Sequence, residues 1–515
     1  MNTKYRFKDL FVLDLANNHD GDFQHALRII GAVGEVVAKH QVRAALKFQF
    51  RQLDTFVHAA HREESPYKYP KRFLDTRLSN EEFARLTDEV RSLGMVTMCT
   101  PFDEESVDVI EAMGIEVVKI ASCSAADWPL LERVAEANKP VIFSTGGLIW
   151  KEISDLVSFF DHRRVDFGIM HCVSIYPTPP ELLQLNQISR LKARYADRTI
   201  GFSTHEDPDA LSPVQVAVAK GAEMFERHVG LRCDGHELNT YSSTPEQIDR
   251  WIRVALDARV LCGADRRLPP IAEEVNALNG LKRGVFAHRD LEEGVNIDRA
   301  DVYFAMPCEP GQLTSGEYGQ NVIDVEGITT IAALKKDGPL MKDRLEIPAD
   351  RERQALFTAI HEMKSMVNEA RVSLPADFET EFSHHYGISE FPRVGATLIT
   401  VVNRSYCKKI IIQTPGQRHP CHHHRQKEET FYVHWGVLEM RIDGRRRTLQ
   451  PGDMILVQQG VWHEFWTDTG VIFDELSTTD VANDSFYEDK RINKTKKTER
   501  KTRVNHWGSG HQIPR

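Results

Sequence analysis

Eight short apolar runs follow one another from Phe11 to Gly230, and each ends in polar, chemically useful residues. They are Phe11–Asn17, Ala45–Phe50, Val96–Phe102, Val117–Ser122, Val141–Gly146, Phe167–Ser174, Thr199–Glu206 and Met224–Gly230. Stretches with helical spacing lie between them, such as Glu81–Leu93, Glu104–Met113 and Pro213–Lys220. Strand and helix alternating eight times predict a (β/α)8 TIM barrel, with the active site at the C-terminal ends of the strands. Two lysines, four histidines, three carboxylates and several hydroxyls are expected around that mouth, His19 and His171 among them.

The length of 515 residues allows about two to four domains. No apolar run approaches the roughly 20 residues that cross a bilayer. The first residues, MNTKYRFKDLFVLD, carry charges where a secretory signal needs its apolar stretch. The eight cysteines are scattered without a C-x-x-C pair, which predicts reduced thiols and a cytoplasmic setting. A net charge of −10 argues against nucleic acid as a partner.

The barrel is expected over residues 1–265, closing near Cys262 after a helix Pro245–Val260 with Thr244 as its N-cap. Arg266–Pro270 reads as a linker. Residues 276–335 read as a small turn-rich β module with strands at Leu281–Ala287 and Val302–Ala305. A second all-β domain is expected over residues 345–485. It opens with an amphipathic helix, Arg351–Arg371, and its strands lie near Thr397–Asn403, Lys409–Thr414, Glu429–His434, Leu438–Ile442, Met454–Gln458 and Val471–Leu476. Residues 486–515 crowd Lys490, Arg491, Lys494, Lys496, Lys497, Arg500, Lys501 and Arg503 together. They read as a solvated, flexible basic tail.

The motifs Asn18-His19-Asp-Gly21, Lys47-Phe-Gln49, Thr100-Pro-Phe-Asp-Glu-Glu-Ser106, Lys119-Ile-Ala-Ser122, Ser144-Thr-Gly146, His171-Cys-Val-Ser-Ile-Tyr-Pro177, Gly201-Phe-Ser-Thr-His205 and Glu226-Arg-His228 stand in order along the barrel. Together they resemble the sialic acid synthase (N-acetylneuraminate synthase) family, and the β module resembles that family's antifreeze-like domain. The resemblance implies condensation of phosphoenolpyruvate with an open-chain sugar aldehyde and release of phosphate. It implies Asp14, Lys119, His205, Glu226 and His228 as catalytic residues. Asn18, Lys47, Gln49, Thr100, Ser122, Ser144, Tyr176 and Ser203 would bind substrate. His205 and His228 would hold a divalent ion, manganese in the family, and a homodimer is the expected assembly. Charge points the same way: a small, highly charged anion calls for fixed cations and neutral donors. Three departures fall at the sugar end. Asp14 replaces a glutamate, Cys123-Ser124 replaces Gly and an acidic residue, and Phe304-Ala-Met306-Pro307 lacks the family's arginine. The acceptor is therefore expected to differ from plain N-acetylmannosamine.

Gly416-x5-His422-x-His424-x4-Glu429-x6-Gly436 fits the first cupin motif, and Gly452-x5-Gln458-x-Gly460-x2-His463 resembles the second. Strand residues two apart share a face, so His422 and His424 point inward together. With Glu429 and His463 they offer three imidazoles and a carboxylate to Mn, Fe, Ni or Zn. The segment also resembles the D-lyxose isomerase type of cupin, which implies that it interconverts or binds the sugar. The competing readings are a sugar isomerase with a non-synthase barrel, and a non-catalytic sugar-binding regulatory protein.

Overall fold

The computed structural model describes residues 5–507 except 64, 234, 265–267, 323–327, 348–350, 481–483, 497–498 and 506. Arg266 and Arg267 of the expected linker, and Lys497 and residues 508–515 of the expected tail, therefore lie outside the described residues. The chain divides into two compact units, 1–268 and 269–515.

In the first unit the apolar runs form strands β1 (Leu10–Asp14), β2 (Arg43–Phe50), β3 (Val96–Pro101), β4 (Val117–Ile120), β5 (Val141–Ser144), β6 (Phe167–Cys172), β7 (Ile200–Thr204) and β8 (Met224–His228). They pair in parallel in chain order, and β8 closes onto β1. This is a TIM barrel. Outward side chains such as Phe11, Phe48, Phe143, Phe202 and Phe225 pack under the helices. The last helix, Pro245–Cys262, starts on a capping box between Thr244 and Gln247, with Pro at its first position. Its Trp251 is fully buried, edge-on to Phe11 at 5.7 Å and to Phe225 at 6.3 Å. Burying such a ring is worth about 2–3 kcal/mol.

The inward face alternates with a period of two. Val12, Ala45, Met98, Val117, Ile142, Met170 and Met224 form an apolar floor inside the barrel. Gly201 leaves room for it: a Cβ there would lie 2.4 Å from Met224 Cγ. Two residues beyond each floor position, and beyond Gly201, stand Asp14, Lys47, Thr100, Lys119, Ser144, Cys172, Ser203 and Glu226. One turn of the pleat thus converts a dry core into a polar ring.

The second unit begins with helix Ala272–Asn279, so the turn-rich module is entered by a helix rather than directly from a linker. The module holds β9 (Gly284–Ala287), β10 (Asn296–Ile297), β11 (Val302–Ala305), β12 (Ile328–Thr330) and β13 (Leu345–Glu346), in a two-stranded and a three-stranded sheet. After helix Arg351–Ala370 come β14 (Glu379–His384), β15 (Gly395–Asn403), β16 (Tyr406–Gln413), β17 (Arg418–His424), β18 (Glu429–Gly436), β19 (Leu438–Ile442), β20 (Arg445–Leu449), β21 (Met454–Val457), β22 (His463–Trp466), β23 (Val471–Thr478), β24 (Ser485–Tyr487) and β25 (Lys501–Asn505). They make a seven-stranded sheet, β21-β18-β23-β16-β15-β14-β25, and a five-stranded sheet, β20-β19-β22-β17-β24. This is the cupin.

The basic stretch expected to be a free tail is woven into these sheets. β24 pairs with β17, and β25 pairs antiparallel with β14. Lys501 and Arg503 fall on one face of β25 and bind Glu381, while Val504 faces the core and is buried. The end of the charge run, Lys501 and Arg503, is one face of a strand with a carboxylate across from it, while Lys490, Arg491 and Lys494 lie in a short helix, Lys490–Lys494. Composition alone does not show the apolar residues between the charges.

Candidate functional site

The polar ring of the barrel is buried and ionised. Lys47 Nζ lies 2.9 Å from Asp14 Oδ2 and 2.5 Å from Glu226 Oε1. Lys119 Nζ lies 3.5 Å from Glu226 Oε2 and donates to Ser144 Oγ at 2.6 Å. All four ionised side chains are at most 6% exposed. Strand register explains their meeting: Asp14 stands opposite Lys47 on one side and His228 on the other, and Glu226 stands opposite Ser203.

The two lysines differ. Burial works against Lys47, but Asp14 and Glu226 outweigh it and hold the ammonium above its ordinary range. Lys119 is depressed, because burial exceeds what Glu226 returns and Lys47 repels it. Burial would raise Glu226, yet Lys119 and Lys47 together hold it well below the usual carboxylate range.

His205 and His228 meet beside this cluster with ring centroids 5.3 Å apart. Burial, and then its neighbour His228, push His205 down to about 3, and burial lowers His228. Both are neutral imidazoles near pH 7. His205 Nδ1 faces Val173 O at 3.2 Å and His228 Nδ1 faces Asp14 Oδ2 at 3.4 Å. The Val173 contact places the His205 proton on Nδ1 and leaves its Nε2 lone pair free, the tautomer a metal ligand needs, whereas the contact of His228 with Asp14 lacks hydrogen-bond geometry. The residues fit a divalent ion, with two protein ligands and the remaining positions open to water or substrate.

Neutral donors complete the mouth. Gly146 N donates to Ser122 Oγ at 3.0 Å, and a Cβ on Gly146 would lie 2.2 Å from Ser174 Oγ. Thr100 Oγ1 is buried without a hydrogen-bond partner. Ser203 is buried at the mouth, in register with Glu226 on the neighbouring strand. Gln49 Nε2 reaches Asp14 Oδ2 at 3.3 Å and anchors it. Asn18 is buried and donates to Val229 O and Ser242 Oγ at 2.8 and 2.9 Å. Tyr176 is half exposed, its ring 4.3 Å from His205 and 5.2 Å from Tyr241.

Two expected members lie elsewhere. His171 shares the outward face of β6 with Ile169, and its Nε2 meets Leu183 O at 2.8 Å. His19 is edge-on to Phe83 at 6.0 Å, away from the ion cluster. Conversely, the loop after β8 brings in Asn239, Tyr241 and Ser242, and β2 is followed by Arg51, which donates to Gln49 Oε1 at 3.0 Å. The Asn-Thr-Tyr-Ser-Ser run before Thr244 is the only sequence signal for that loop, and it reads as an ordinary helix entry.

A sequence profile described as the NeuB family matches residues 35–265, and a cupin-domain profile matches residues 410–473. The spore coat polysaccharide biosynthesis protein SpsE of Bacillus subtilis is 33% identical over 359 residues, 62% of this chain and 92% of that protein. The chain belongs to the NeuB family. A crystal structure of a spore coat polysaccharide biosynthesis protein E from Chromobacterium violaceum is 44% identical with a TM-score of 0.62, covering 66% of this chain and all of the other (100%). The N,N'-diacetyllegionaminic acid synthase of Legionella pneumophila is 27% identical over 313 residues, 56% of this NeuB-family chain and 83% of its relative.

The cupin holds the second centre. His422, His424, Glu429 and His463 are buried, with ligand atoms within 4.8 Å of one another. Each imidazole Nδ1 meets a backbone carbonyl, of Pro420, Asp484 and Val461 respectively, at 3.0–3.1 Å. Three Nε2 atoms are thereby turned inward. His424 Nε2 and His463 Nε2 approach Glu429 at 3.2 and 3.1 Å without hydrogen-bond geometry, which suits a shared ion. Lys427 Nζ also binds Glu429, at 2.5 Å, and Glu475 at 2.9 Å. The site opens into a cavity of about 280 Å³ lined by Lys409, Glu475, Asp480, Tyr487 and Arg500.

Proposed function

We propose that the barrel condenses phosphoenolpyruvate with an open-chain aldose to give a 3-deoxy-2-keto sugar acid of the nonulosonic type and free phosphate. The observation that carries this is the buried pair Lys47 and Lys119, ringed by hydroxyls and the Gly146 amide, beside two neutral imidazoles. The legionaminic acid synthase among the relatives supports the product class. Lys47, Lys119, Ser122, Ser144 and Ser203 receive the phosphate and carboxylate, taking lysine charge now shared with Glu226. A divalent ion on His205 and His228, when bound, polarises the aldehyde. Asn18, Gln49 and Tyr176 orient the sugar. C3 of phosphoenolpyruvate bonds the aldehyde carbon and the aldehyde oxygen takes a proton. Water then adds at C2 and the bond from C2 to the phosphate oxygen breaks. Asp14 or Glu226 faces the cationic C2 and orients that water.

The cupin is read as a Mn, Fe, Ni or Zn centre acting on the same sugar, interconverting ketose and aldose. Its polar cavity above a His3Glu set supports a hydroxyl-rich ligand. The test is phosphate release from phosphoenolpyruvate with Mn2+ across aldoses, ketoses and N-acetylated hexosamines. Release with an aldose that Lys119→Ala abolishes and His422→Ala spares supports the synthase. Release with a ketose that either substitution abolishes supports the isomerase. Undiminished release in Lys119→Ala overturns the assignment of the barrel site.

A further inference from the structure

The segment that follows β2 places two cations beside the barrel mouth, and among the described residues neither is paired with a carboxylate. Arg51 stands one residue beyond β2. Its guanidinium is clamped between two rings, 3.7 Å from the centroid of Phe102 after β3 and 3.8 Å from that of Phe73 in the helix Lys68–Asp75. The rings hold it by both faces and leave only its edge for hydrogen bonding. Of a guanidinium's five N–H donors, one is used, from Nη2 to Gln49 Oε1 at 3.0 Å, and Nε is buried with no acceptor. Burial pulls Arg51 down to about 10, so it stays a cation at neutral pH. Arg72, in the same helix as Phe73, makes no side-chain hydrogen bond or ion pair among the described residues. Its charge bears on His19 and on His228. Both arginines are half-buried.

Holding Gln49 explains one bond of Arg51. It does not explain a full charge kept where burial works against it, since a neutral amide would serve the same carbonyl. The carboxylates that act on that charge, Asp14 and Asp103, are engaged elsewhere: Asp14 by Lys47, and Asp103 by the amides of Gln52 and Ser106. Beside Arg51 opens a cavity of about 260 Å³, lined also by Asn17, His19, Gln49, Phe73 and Thr76. Arg51 meets Gln49, Gln49 meets Asp14, and Asp14 meets His228. An aldehyde at His228 therefore directs the far end of an open-chain sugar toward Arg51 and this cavity.

We infer that the acceptor of the barrel is an anionic aldose, bearing a carboxylate or a phosphate at the end remote from its aldehyde, and that Arg51 and Arg72 hold that anion. The inference rests on the condensation proposed above and narrows its acceptor. An anion at Arg51 takes up the idle Nε and the edge that the two rings leave open.

The test uses the full chain with Mn2+ and phosphoenolpyruvate. Phosphate release is compared for D-glucose, D-mannose and N-acetyl-D-mannosamine, each against its 6-phosphate, and for D-glucuronate and D-mannuronate. The phosphate and uronate arms distinguish the two anions. In the parent, an anionic aldose is expected to exceed its neutral counterpart in kcat/KM by roughly 10–100-fold. Arg51→Gln should collapse that ratio, mainly through KM, and Arg72→Gln, which has no side-chain bond to lose, should reduce it. A role confined to positioning Gln49 lowers both members of a pair alike and leaves the ratio unchanged. Calorimetric titration of the same pairs without phosphoenolpyruvate reads the anion site apart from the reaction. Anions also bind at Lys47 and Lys119, so the parent is compared with each arginine variant. No release with any sugar overturns the condensation, and the titration then decides the anion site. Anionic sugars handled no better than neutral ones by the parent, or a preference that survives both folded arginine variants, overturns the inference.

Discussion

Lys47 and Lys119 sit in one cluster yet should respond oppositely to removal. At an effective dielectric of about 20, the contacts of Lys47 at 2.9 and 2.5 Å are worth ~6 and ~7 kcal/mol of attraction before desolvation. The single carboxylate contact of Lys119 at 3.5 Å is worth ~5 kcal/mol, reduced by repulsion from Lys47. Lys47→Met leaves Asp14 and Glu226 buried with one distant cation, a loss of about 3–5 kcal/mol. Lys119→Met removes a charge whose burial is only partly offset, and should leave stability within ~1 kcal/mol of the parent or raise it. For a domain of this size ~1 kcal/mol shifts Tm by about 2–4 °C. Lys47→Met should therefore lower the barrel transition by ~6–20 °C, and Lys119→Met by no more than ~4 °C. Calorimetry in the absence of substrate measures both, while phosphate release should vanish in each. Equal losses of Tm would refute the charge accounting, whatever the activities.

Glu226 has a folded pKa below its ordinary 4.5, so its stabilisation is complete above about pH 4.5 and drains as pH falls toward the depressed value. Acid melting curves should show this slope in the parent and a shallower one in Glu226→Gln. Gly146→Ala should force Ser122 and Ser174 to rotate away from a Cβ 2.7 and 2.2 Å from their hydroxyls, raising KM for phosphoenolpyruvate about tenfold with a loss of ~1 kcal/mol. Steady-state kinetics that leave KM unchanged would contradict this. Metal at the cupin present at 100 times its Kd adds about 2.7 kcal/mol to that domain. A chelator should therefore lower the cupin transition in the parent and leave it unmoved in His424→Ala.

The barrel was legible because its strands are buried on both sides, so each reads as an unbroken apolar run such as Val141–Ser144. The cluster of Asp14, Lys47, Lys119 and Glu226 is built from residues at or next to the ends of those runs. Which of them point inward was not read: His171 was placed at the mouth although it shares a face with Ile169. In the cupin, β19 matches its expected span, Leu438–Ile442, and β17 carries the strand on which the motif places His422 and His424, while β20 is not legible as a strand. β20 is Arg-Arg-Arg-Thr-Leu and shows no hydrophobic alternation. The loop residues Asn239 and Tyr241 were missed because nothing local marks a loop that returns over a mouth formed by distant strands.

The pairing of β25 with β14 also sets an order of events during synthesis. Glu379 is matched with Asn505, so β14 waits for more than a hundred further residues to emerge from the ribosome before its outer edge is covered. The barrel strands, complete by His228, face no such delay. A nascent or prematurely stopped chain would carry a finished barrel and a cupin with an open edge ready to capture another strand. Translation through residue 505 is what closes that edge.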